Sequence, residues 1–547
     1  MRTVFLIIAV GLLGSCLLAA ITTEALAQQQ SVVDSLHNLS ATGSGAVRAV
    51  SEEQVCIFCH APHNSTPLRP LWNRAMPIDG YAIYTSRALD AEPGQPTGMS
   101  KMCLSCHDGT IALGAVNSRQ QEITMSGGVH MIPVGPGRLG TDLRDDHPIS
   151  FLYDSTLAAN DPKLVDPTTL PHDVMLSANG ELQCSACHDA HNNQFGKFLV
   201  MDNTNSQLCV TCHRMGSTTI DEHQSCSACH TPHSAPSGPY LLRGGTIADT
   251  CLTCHDGSVP GGANILAQIN KPSNHETFSM VDPEEPLESH ASCTDCHDPH
   301  TMTSVATLAP DVHGNFGLVD GVNASGSPIT VAQFEFEVCL RCHGDTNAVQ
   351  PWIPRVVNQN NTRLEFETSA ISFHPIQAPG RNSDVPSLKP GMLESDIIRC
   401  SDCHGSNGSG GMSGSGPGGL HGSVHSPLLV ANYATGDFTN ESAQAYALCY
   451  RCHDRNSILQ DESFDYHKKH IVDEKTSCSV CHDAHGIASL QGSDEANSHL
   501  INFDTSIVFP DPSTNRLEFR DLGFRSGECY LTCHNERHDA EQRYPDD

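Results

Sequence analysis

The stretch that decides the fold is CSACHDAH, residues 184–191, in which two cysteines and two histidines stand at fixed spacing. Near copies of this stretch recur along the chain, beginning at Cys56, Cys226, Cys293 and Cys478. The cysteines and histidines of the stretch recur, whereas no long apolar pattern recurs with them. Cysteine and histidine chemistry, rather than aliphatic packing, is therefore expected to organise the chain.

The chain has 25 cysteines, and all 24 apart from Cys16 fall in pairs that a histidine follows directly. Eleven pairs have the spacing CxxCH, and the twelfth, CYLTCH at 529–534, carries one extra residue. The paired cysteines are Cys56 and Cys59, Cys103 and Cys106, Cys184 and Cys187, Cys209 and Cys212, Cys226 and Cys229, Cys251 and Cys254, Cys293 and Cys296, Cys339 and Cys342, Cys400 and Cys403, Cys449 and Cys452, Cys478 and Cys481, and Cys529 and Cys533. The histidines that follow them are His60, His107, His188, His213, His230, His255, His297, His343, His404, His453, His482 and His534.

This spacing is the one that attachment of c-type haem requires. Two thiols add across the two vinyl groups of one haem, and the adjacent imidazole then lies below the iron. Residues three and four apart share one face of a helical turn, so the extra residue after Cys529 still permits attachment. The sequence predicts twelve covalent haem c groups, each with its adjacent histidine as one axial ligand.

Two other uses of cysteine are possible in an exported chain. The cysteines could form a disulfide scaffold, or the pairs could combine into six zinc sites of four thiolates each. Neither arrangement needs a histidine directly after the second cysteine, yet one is present at all twelve motifs. The pattern favours haem attachment over both.

The motifs alternate between two types, which gives six modules of two haem sites each. First-type motifs resemble residues 184–191, and second-type motifs have mostly Leu, Val or Tyr after the first cysteine. The modules begin at Cys56, Cys184, Cys226, Cys293, Cys400 and Cys478, with second-type motifs at Cys103, Cys209, Cys251, Cys339, Cys449 and Cys529.

Two sets of histidines are candidates for the second axial position. Most first-type motifs carry a histidine three residues beyond the first, namely His63, His191, His233, His300 and His485; the Cys400 motif lacks it, and His421 or His425 is the expected substitute. The second set stands upstream of each module and comprises His37, His147, His223, His290, His374 and His470. Rival candidates are His130, His172, His275, His313, His467, His499 and His538.

The second histidine of a first-type motif lies too close in sequence to reach the far face of its own haem easily. We therefore expect His191 to cap a neighbouring haem, so that one short peptide holds two haems together.

The alternating motifs resemble the multihaem c-type cytochromes with a doubled CXXCH motif, found among exported electron-transfer proteins of metal-reducing bacteria. CLSCHDGTIALGAV (103–116) and LGTDLRDDHPISF (139–151) look like segments of the cytochromes that pass electrons outside the cell, and the part from 448 to 504 is similar to the C-terminal part of large cytochromes of that group. The resemblance implies bis-histidine haems stacked in a chain that carry electrons without bond-making chemistry. The departures are the CxxxCH spacing and the missing second histidine after His404.

The composition predicts an unusual fold. Aromatic residues make up 5% of the chain, and glycine and proline contribute 44 and 33 residues. About 43 residues per haem are too few for an aliphatic core at each site. The prediction is a mostly irregular chain with short α-helices that carry the CxxCH motifs, little β-structure and an elongated array whose core is the haems.

Domain boundaries are weakly marked in the sequence. The expected parts are 28–155 with haem sites 1 and 2, 156–343 with sites 3 to 8, and 344–547 with sites 9 to 12, joined near 154–169 and 344–359. The glycine- and serine-rich segment 405–419 is predicted to be a surface loop.

The N-terminus has the pattern of an export signal. Residues 4–21 are apolar, and Ala25-Leu-Ala27 precedes three glutamines, so residues 1–27 are predicted to be cleaved. Lipid attachment at Cys16 after cleavage in LGSC, or retention of the apolar run as an anchor, are the alternatives. The expected location is the periplasm, the outer cell surface or the extracellular space, with no transmembrane span after cleavage.

The function predicted from these features is an electron conduit in anaerobic respiration or extracellular electron transfer. The alternative is a multihaem reductase of nitrite, hydroxylamine or sulfur oxyanions, which needs one haem with an open position. The net charge of −32 disfavours nucleic acid as a partner. Expected partners are other multihaem cytochromes, extracellular metal oxides or electrodes, and further copies of the chain in an oligomer or filament.

Overall fold

The computed structural model describes residues 31–63, 71–78, 80–216, 218–275, 291–345, 352–382, 384–407, 418–539 and 543–544. The predicted signal segment 1–27, Cys16, His290 and most of the 405–419 loop lie outside these residues. Helices account for 23% and strands for 13% of the chain. The predicted fold class, mostly irregular with short helices, is confirmed.

The chain divides into two compact units, the first formed by residues up to 216 with 224–246, and the second by 217–223 with 247–547. The boundaries predicted from the sequence stay predictions.

The first unit contains short helices and two-residue strands. Its helices are α1 (Gly98–His107), α2 (Ser155–Asn160), α3 (Gln207–Cys212) and α4 (Cys226–Cys229). Strand β1 (Ala82–Ile83) pairs parallel with β2 (Asp142–Leu143), and β3 (Phe151–Leu152) pairs antiparallel with β4 (Glu181–Leu182). Short 3₁₀ helices carry the motifs at Val55–Phe58 and Cys184–Ala186.

The second unit repeats this plan. Its helices are α5 (Ile247–His255), α6 (Leu266–Ile269), α7 (Cys293–Cys296), α8 (Glu335–His343), α9 (Thr362–Glu365), α10 (Arg455–Leu459) and α11 (Cys478–Cys481), and a π-helical turn covers Lys469–Asp473. Strand pairs join β5 (Ser273–Asn274) to β9 (Gly422–Ser423), β6 (Gly321–Val322) to β7 (Pro328–Ile329), and β8 (Ser372–Phe373) to β10 (Gly486–Ile487).

The one larger sheet among the described residues lies at the C-terminal end of this unit. Strand β12 (Ser526–Cys533) pairs antiparallel with β11 (Glu518–Gly523), and also with β13 (Glu536–His538) and β14 (Arg543–Tyr544). The twelfth cysteine pair lies on β12, so the expectation that a short helix carries every motif is wrong there. The extra residue leaves Tyr-Leu-Thr between the cysteines, and these residue types favour a strand that has partners on both sides.

Apolar clusters in both units are small and border the attachment cysteines. Ile57, Phe58 and Leu113 are buried in one cluster, and Cys59 and Cys106 pack against it. Val480, Phe503, Val508 and Leu531 form another, which Cys481, Cys529 and Cys533 adjoin. Within the part of the chain that the structure describes, no helix combines the length and apolarity needed to cross a bilayer.

Candidate haem sites

The regular motifs contain a tight backbone turn, closed by a hydrogen bond from the histidine to the first cysteine. In module six the His482 N–H donates to the Cys478 carbonyl at 2.9 Å, and the same bond closes the motifs at Cys56 (2.8 Å) and Cys400 (2.9 Å). This turn brings the adjacent histidine back over its own cysteine pair. Both sulfur atoms and one imidazole can therefore address one haem face.

Among the residues that the structure describes, at least ten motif histidines face a second histidine at a narrow range of distances. Their ring centroids are separated by 6.1–6.4 Å, whereas the angles between the rings range from 12° to 70°. The pairs, with the motif histidine first, are His60–His191, His107–His37, His188–His233, His213–His147, His255–His223, His297–His421, His343–His275, His404–His485, His453–His374 and His482–His467.

This separation fits an iron atom between two imidazoles. Two metal–nitrogen bonds of about 2.0 Å, with the distance from each nitrogen to its ring centre, require about 6.3 Å between centroids. Rings that touch directly would show centroid distances spread over about 4.5–7 Å, with preferred angles. A planar macrocycle between two imidazole ligands would fix the distance between their rings and leave the angle between them free, as observed here.

The other ring nitrogen of many of these histidines has a hydrogen-bond partner. Nδ1 of His188 lies 2.9 Å from the Lys197 carbonyl, and Nδ1 of His374 lies 2.7 Å from that of Ala484. A metal-bound histidine normally donates its second N–H in this way, which fixes the ring and directs Nε2 at the metal. The side chains thus have the tautomer that axial ligation needs.

Two of the second histidines have a carboxylate as this partner. Nδ1 of His233 lies 2.9 Å from Asp146, and Nδ1 of His485 lies 3.1 Å from Glu365. Burial alone would lower the pKa of His485, but the hydrogen bond and charge of Glu365 raise that pKa to about 9. A carboxylate behind the ring makes the imidazole a stronger donor to the metal.

Burial keeps most of the paired histidines neutral. It lowers the pKa of His147, His404, His421, His453 and His482 to about 4, and that of His467 to about 3. A neutral imidazole has the free lone pair that an iron ligand must supply.

The pairing follows two rules along the chain. The second histidine of a first-type motif faces the first-type site of the preceding module, as His191 faces His60, His233 faces His188 and His485 faces His404. His421, which stands in for the missing second histidine, likewise faces His297. An upstream histidine faces the second-type site of its own module, as in His37–His107, His147–His213, His223–His255 and His374–His453.

The structure also brings in three histidines that the sequence ranked only as rivals, His275, His467 and His538. His275 pairs with His343, in the place expected for His290, and His467 pairs with His482. No sequence signal distinguishes His275 from His290, because both stand upstream of the same motif. The sixth upstream histidine, His470, faces His538 at 6.1 Å.

The remaining candidates lie as follows. His63 is exposed, and neither it nor His425 belongs to a ring pair found among the described residues. Nδ1 of His300 lies 3.4 Å from Asp298, as Nδ1 of His191 does from Asp189. Their roles as axial ligands, like those of the paired histidines, stay predictions. The rivals His313 and His499 use Nε2 for Glu335 and Asp384, and His130 and His172 are exposed beside Glu122 and Asp173.

Cysteines of successive motifs meet in sequence order. Hydrogen bonds join the thiols of Cys103 and Cys184, and of Cys209 and Cys226, in the first unit. In the second unit they join Cys251 to Cys293, Cys339 to Cys400, and Cys449 to Cys478. Each contact links a second-type motif to the first-type motif that follows it.

A second set of sulfur contacts lies within modules. Burial and then the neighbouring Cys106 thiol raise the pKa of Cys59 to about 12, and burial and then Cys212 do the same for Cys187. Similar electrostatic interactions relate Cys296 to Cys342, Cys403 to Cys452, and Cys481 to Cys533, and place these thiols near one another. The attachment sites therefore form an unbroken series from the first to the fifth in one unit and from the sixth to the twelfth in the other.

Comparison with known families agrees with this site chemistry. The family model described as "Doubled CXXCH motif" matches residues 177–217 and 220–259, which contain the four motifs from Cys184 to His255. No curated protein matches the chain. Together, the family match and the paired motifs support a multihaem c-type cytochrome that binds haem c covalently.

Proposed function

We propose that the protein is an exported dodecahaem c-type cytochrome that conducts electrons through a row of bis-histidine haems. The observation that carries the proposal is the set of ten histidine pairs with ring centroids 6.1–6.4 Å apart. Haem c supplies, when bound, an iron that takes up and releases one electron. With both axial positions filled by protein, no position remains for a substrate.

The order of the attachment sites supports a conduit. Sulfur contacts alternate between second cysteines within a module, such as Cys59 and Cys106, and first cysteines between modules, such as Cys103 and Cys184. Within each unit, successive sites in the sequence are thus adjacent. A reductase needs one special site, whereas a repeated series of equivalent sites suits transfer along a line.

The second histidines of the first-type motifs connect each module to the preceding one. His191 belongs to the module-two peptide but faces His60 of module one, and His485 of module six faces His404 of module five. One short turn thus orients the ligands of two sites. This links the first-type sites of successive modules, so that the modules are held at a fixed spacing along the row.

The protein's ligands also set the range of reduction potentials of the haems. Imidazole on both sides favours lower potentials than imidazole with thioether, which suits anaerobic respiration. The carboxylates behind His233 and His485 lower the potential of their sites further. The proposed partners are other multihaem cytochromes, extracellular metal oxides or electrodes, and further copies of the chain.

The test is the ligand state of the mature protein. Its intact mass should equal that of the cleaved chain plus twelve haem groups of about 616 Da each. Ferric haems should all be low-spin by electron paramagnetic resonance, and carbon monoxide should leave the reduced spectrum nearly unchanged. Uptake of one equivalent of carbon monoxide per chain, with a high-spin ferric signal, would contradict the conduit and favour the reductase.

A further inference from the structure

The twelfth motif differs from the others in its backbone. In regular motifs the histidine N–H donates to the carbonyl of the first cysteine, as His482 does to Cys478. Cys529 and Cys533 instead lie on β12, where Cys529 pairs with Phe519 on β11. An extended strand has no turn that would bring His534 back over the two sulfur atoms.

His534 lies in the hairpin loop that follows the second cysteine. Cys533 pairs with Glu536, so His534 and Asn535 form a two-residue turn, with φ of 49° and 68°. The His534 ring stacks on Phe438 at 4.7 Å, and its Nε2 lies 3.0 Å from both carboxylate oxygens of Asp437. The nitrogen that would bind iron is therefore engaged by a carboxylate.

His538 has the opposite properties. It pairs with Leu531 across the hairpin, and paired residues point to the same face of a sheet. Cys529, Leu531 and Cys533 alternate along β12 and share that face. The strand pairing therefore sets the His538 ring on the side of the sheet that carries both attachment sulfur atoms.

The ring of His538 also satisfies the criteria met by the other sites. Its centroid is 6.1 Å from that of His470, and its Nδ1 lies 3.1 Å from the Tyr544 hydroxyl, which leaves Nε2 for a metal. Nδ1 of His470 lies 2.8 Å from the Tyr466 carbonyl. His470 is, moreover, the upstream histidine that the pairing rule assigns to the second-type site of module six.

A single cavity of about 1910 Å³ in the second unit joins these groups. It is lined by Cys529, Cys533, His470 and His538, together with the motif histidines of the preceding sites, among them His453 and His482. His534 is not among the residues that line it.

We propose that the twelfth haem, bound through Cys529 and Cys533, has His470 and His538 as its axial ligands, and that His534 is not an iron ligand. The inference rests on the proposed function, since it takes haem attachment at this site as given. It assigns the ligand to a residue on the far strand of the hairpin, five positions after the second cysteine. The hairpin then places an imidazole beside the two sulfur atoms of this site, as the tight turn does at the regular motifs.

The decisive variant is His538→Met, which leaves the attachment motif intact. Because thioether favours ferrous iron, one haem of the twelve should shift to higher potential in a spectroelectrochemical titration and acquire the absorption of histidine–methionine ligation. His499→Met is the matched control, because His499 lines the same cavity but its Nε2 is held by Asp384. The control should titrate as the unmodified protein does.

A second variant guards against poor accommodation of methionine. His538→Ala should keep twelve haems by mass and show one high-spin ferric haem per chain, which added imidazole converts to low-spin. Twelve low-spin haems in the unmodified protein, with no change in either His538 variant, would overturn this ligand assignment and leave the conduit intact. Fewer than twelve haems in the unmodified protein would instead count against the proposed function.

Discussion

Residues 478–482 and 529–538 show two ways of bringing two sulfur atoms and an imidazole together. In the first, one helical turn does so, and the His482 N–H bonds back to the Cys478 carbonyl at 2.9 Å. In the second, a β-hairpin presents Cys529 and Cys533 from one strand and His538 from the next. The local backbone therefore decides which histidine lies beside the two sulfur atoms. The motif with one extra residue forms a strand instead of a helical turn, and a different histidine shares the face of its cysteines.

The largest expected difference between the two sites follows removal of the adjacent histidine. His482→Ala takes away the ring that faces His467 at 6.4 Å, so one haem per chain should become high-spin and bind about one equivalent of carbon monoxide. His534→Ala should leave every haem low-spin, because the ring lost there is bound to Asp437.

Both variants are compared at equal haem content, established by intact mass. Electron paramagnetic resonance of the ferric protein then counts high-spin haem. A high-spin signal of equal size in both variants would show that the twelfth site uses its adjacent histidine as the other sites do.

A smaller effect is expected from the turn of the hairpin. Asn535 has φ of 68°, which a β-branched residue adopts only at a cost of about 1–2 kcal/mol. Asn535→Val should therefore loosen the hairpin, and the low-spin signal of one haem should be lost at a lower temperature than in the unmodified protein. Asn535→Gly, which tolerates this φ, is the control and should keep the original temperature. Equal behaviour of the two variants would mean that the hairpin does not hold the ligand.

Much of the histidine pairing could be predicted from the sequence because it depends on short-range spacing. His191, His233 and His485 face a histidine of the preceding module, in keeping with the expectation that such histidines cap a neighbouring haem. His63 stands in the first of the six modules, and it is exposed. In the sixth module, His467 faces the first-type motif histidine His482.

What the sequence could not provide depends on tertiary position. His275 and His290 stand upstream of one motif, and only the folded chain places His275 against His343. The cysteine spacing at Cys529 is compatible with a helical turn. The strand forms there because β11 and β13 supply partners on both edges, and such pairing depends on the folded chain. The sequence signal for the hairpin is Asn535, a residue type that tolerates the positive φ of a two-residue hairpin turn.

The finest distinction between the two kinds of site concerns the group behind the second ligand. Nδ1 of His485 lies 3.1 Å from the buried carboxylate of Glu365, whereas Nδ1 of His538 lies 3.1 Å from the neutral Tyr544 hydroxyl. A carboxylate increases the electron donation of the imidazole and stabilises ferric iron, and a hydroxyl does so less. Glu365→Gln should therefore raise the potential of one haem by tens of millivolts, about 59 mV for each tenfold change in relative affinity.

Tyr544→Phe should move the potential of a different haem by a smaller amount. Glu367→Gln is the matched control for the first variant, because Glu367 is near in sequence but bonds Ser489 and no histidine in the described contacts. Spectroelectrochemical titration of the three variants against the unmodified protein measures all of these shifts. If the Tyr544→Phe shift is as large as that of Glu365→Gln, the charge behind the ring does not set the potential. If the Glu365→Gln titration is unchanged, His485 is not a ligand at the His404 site.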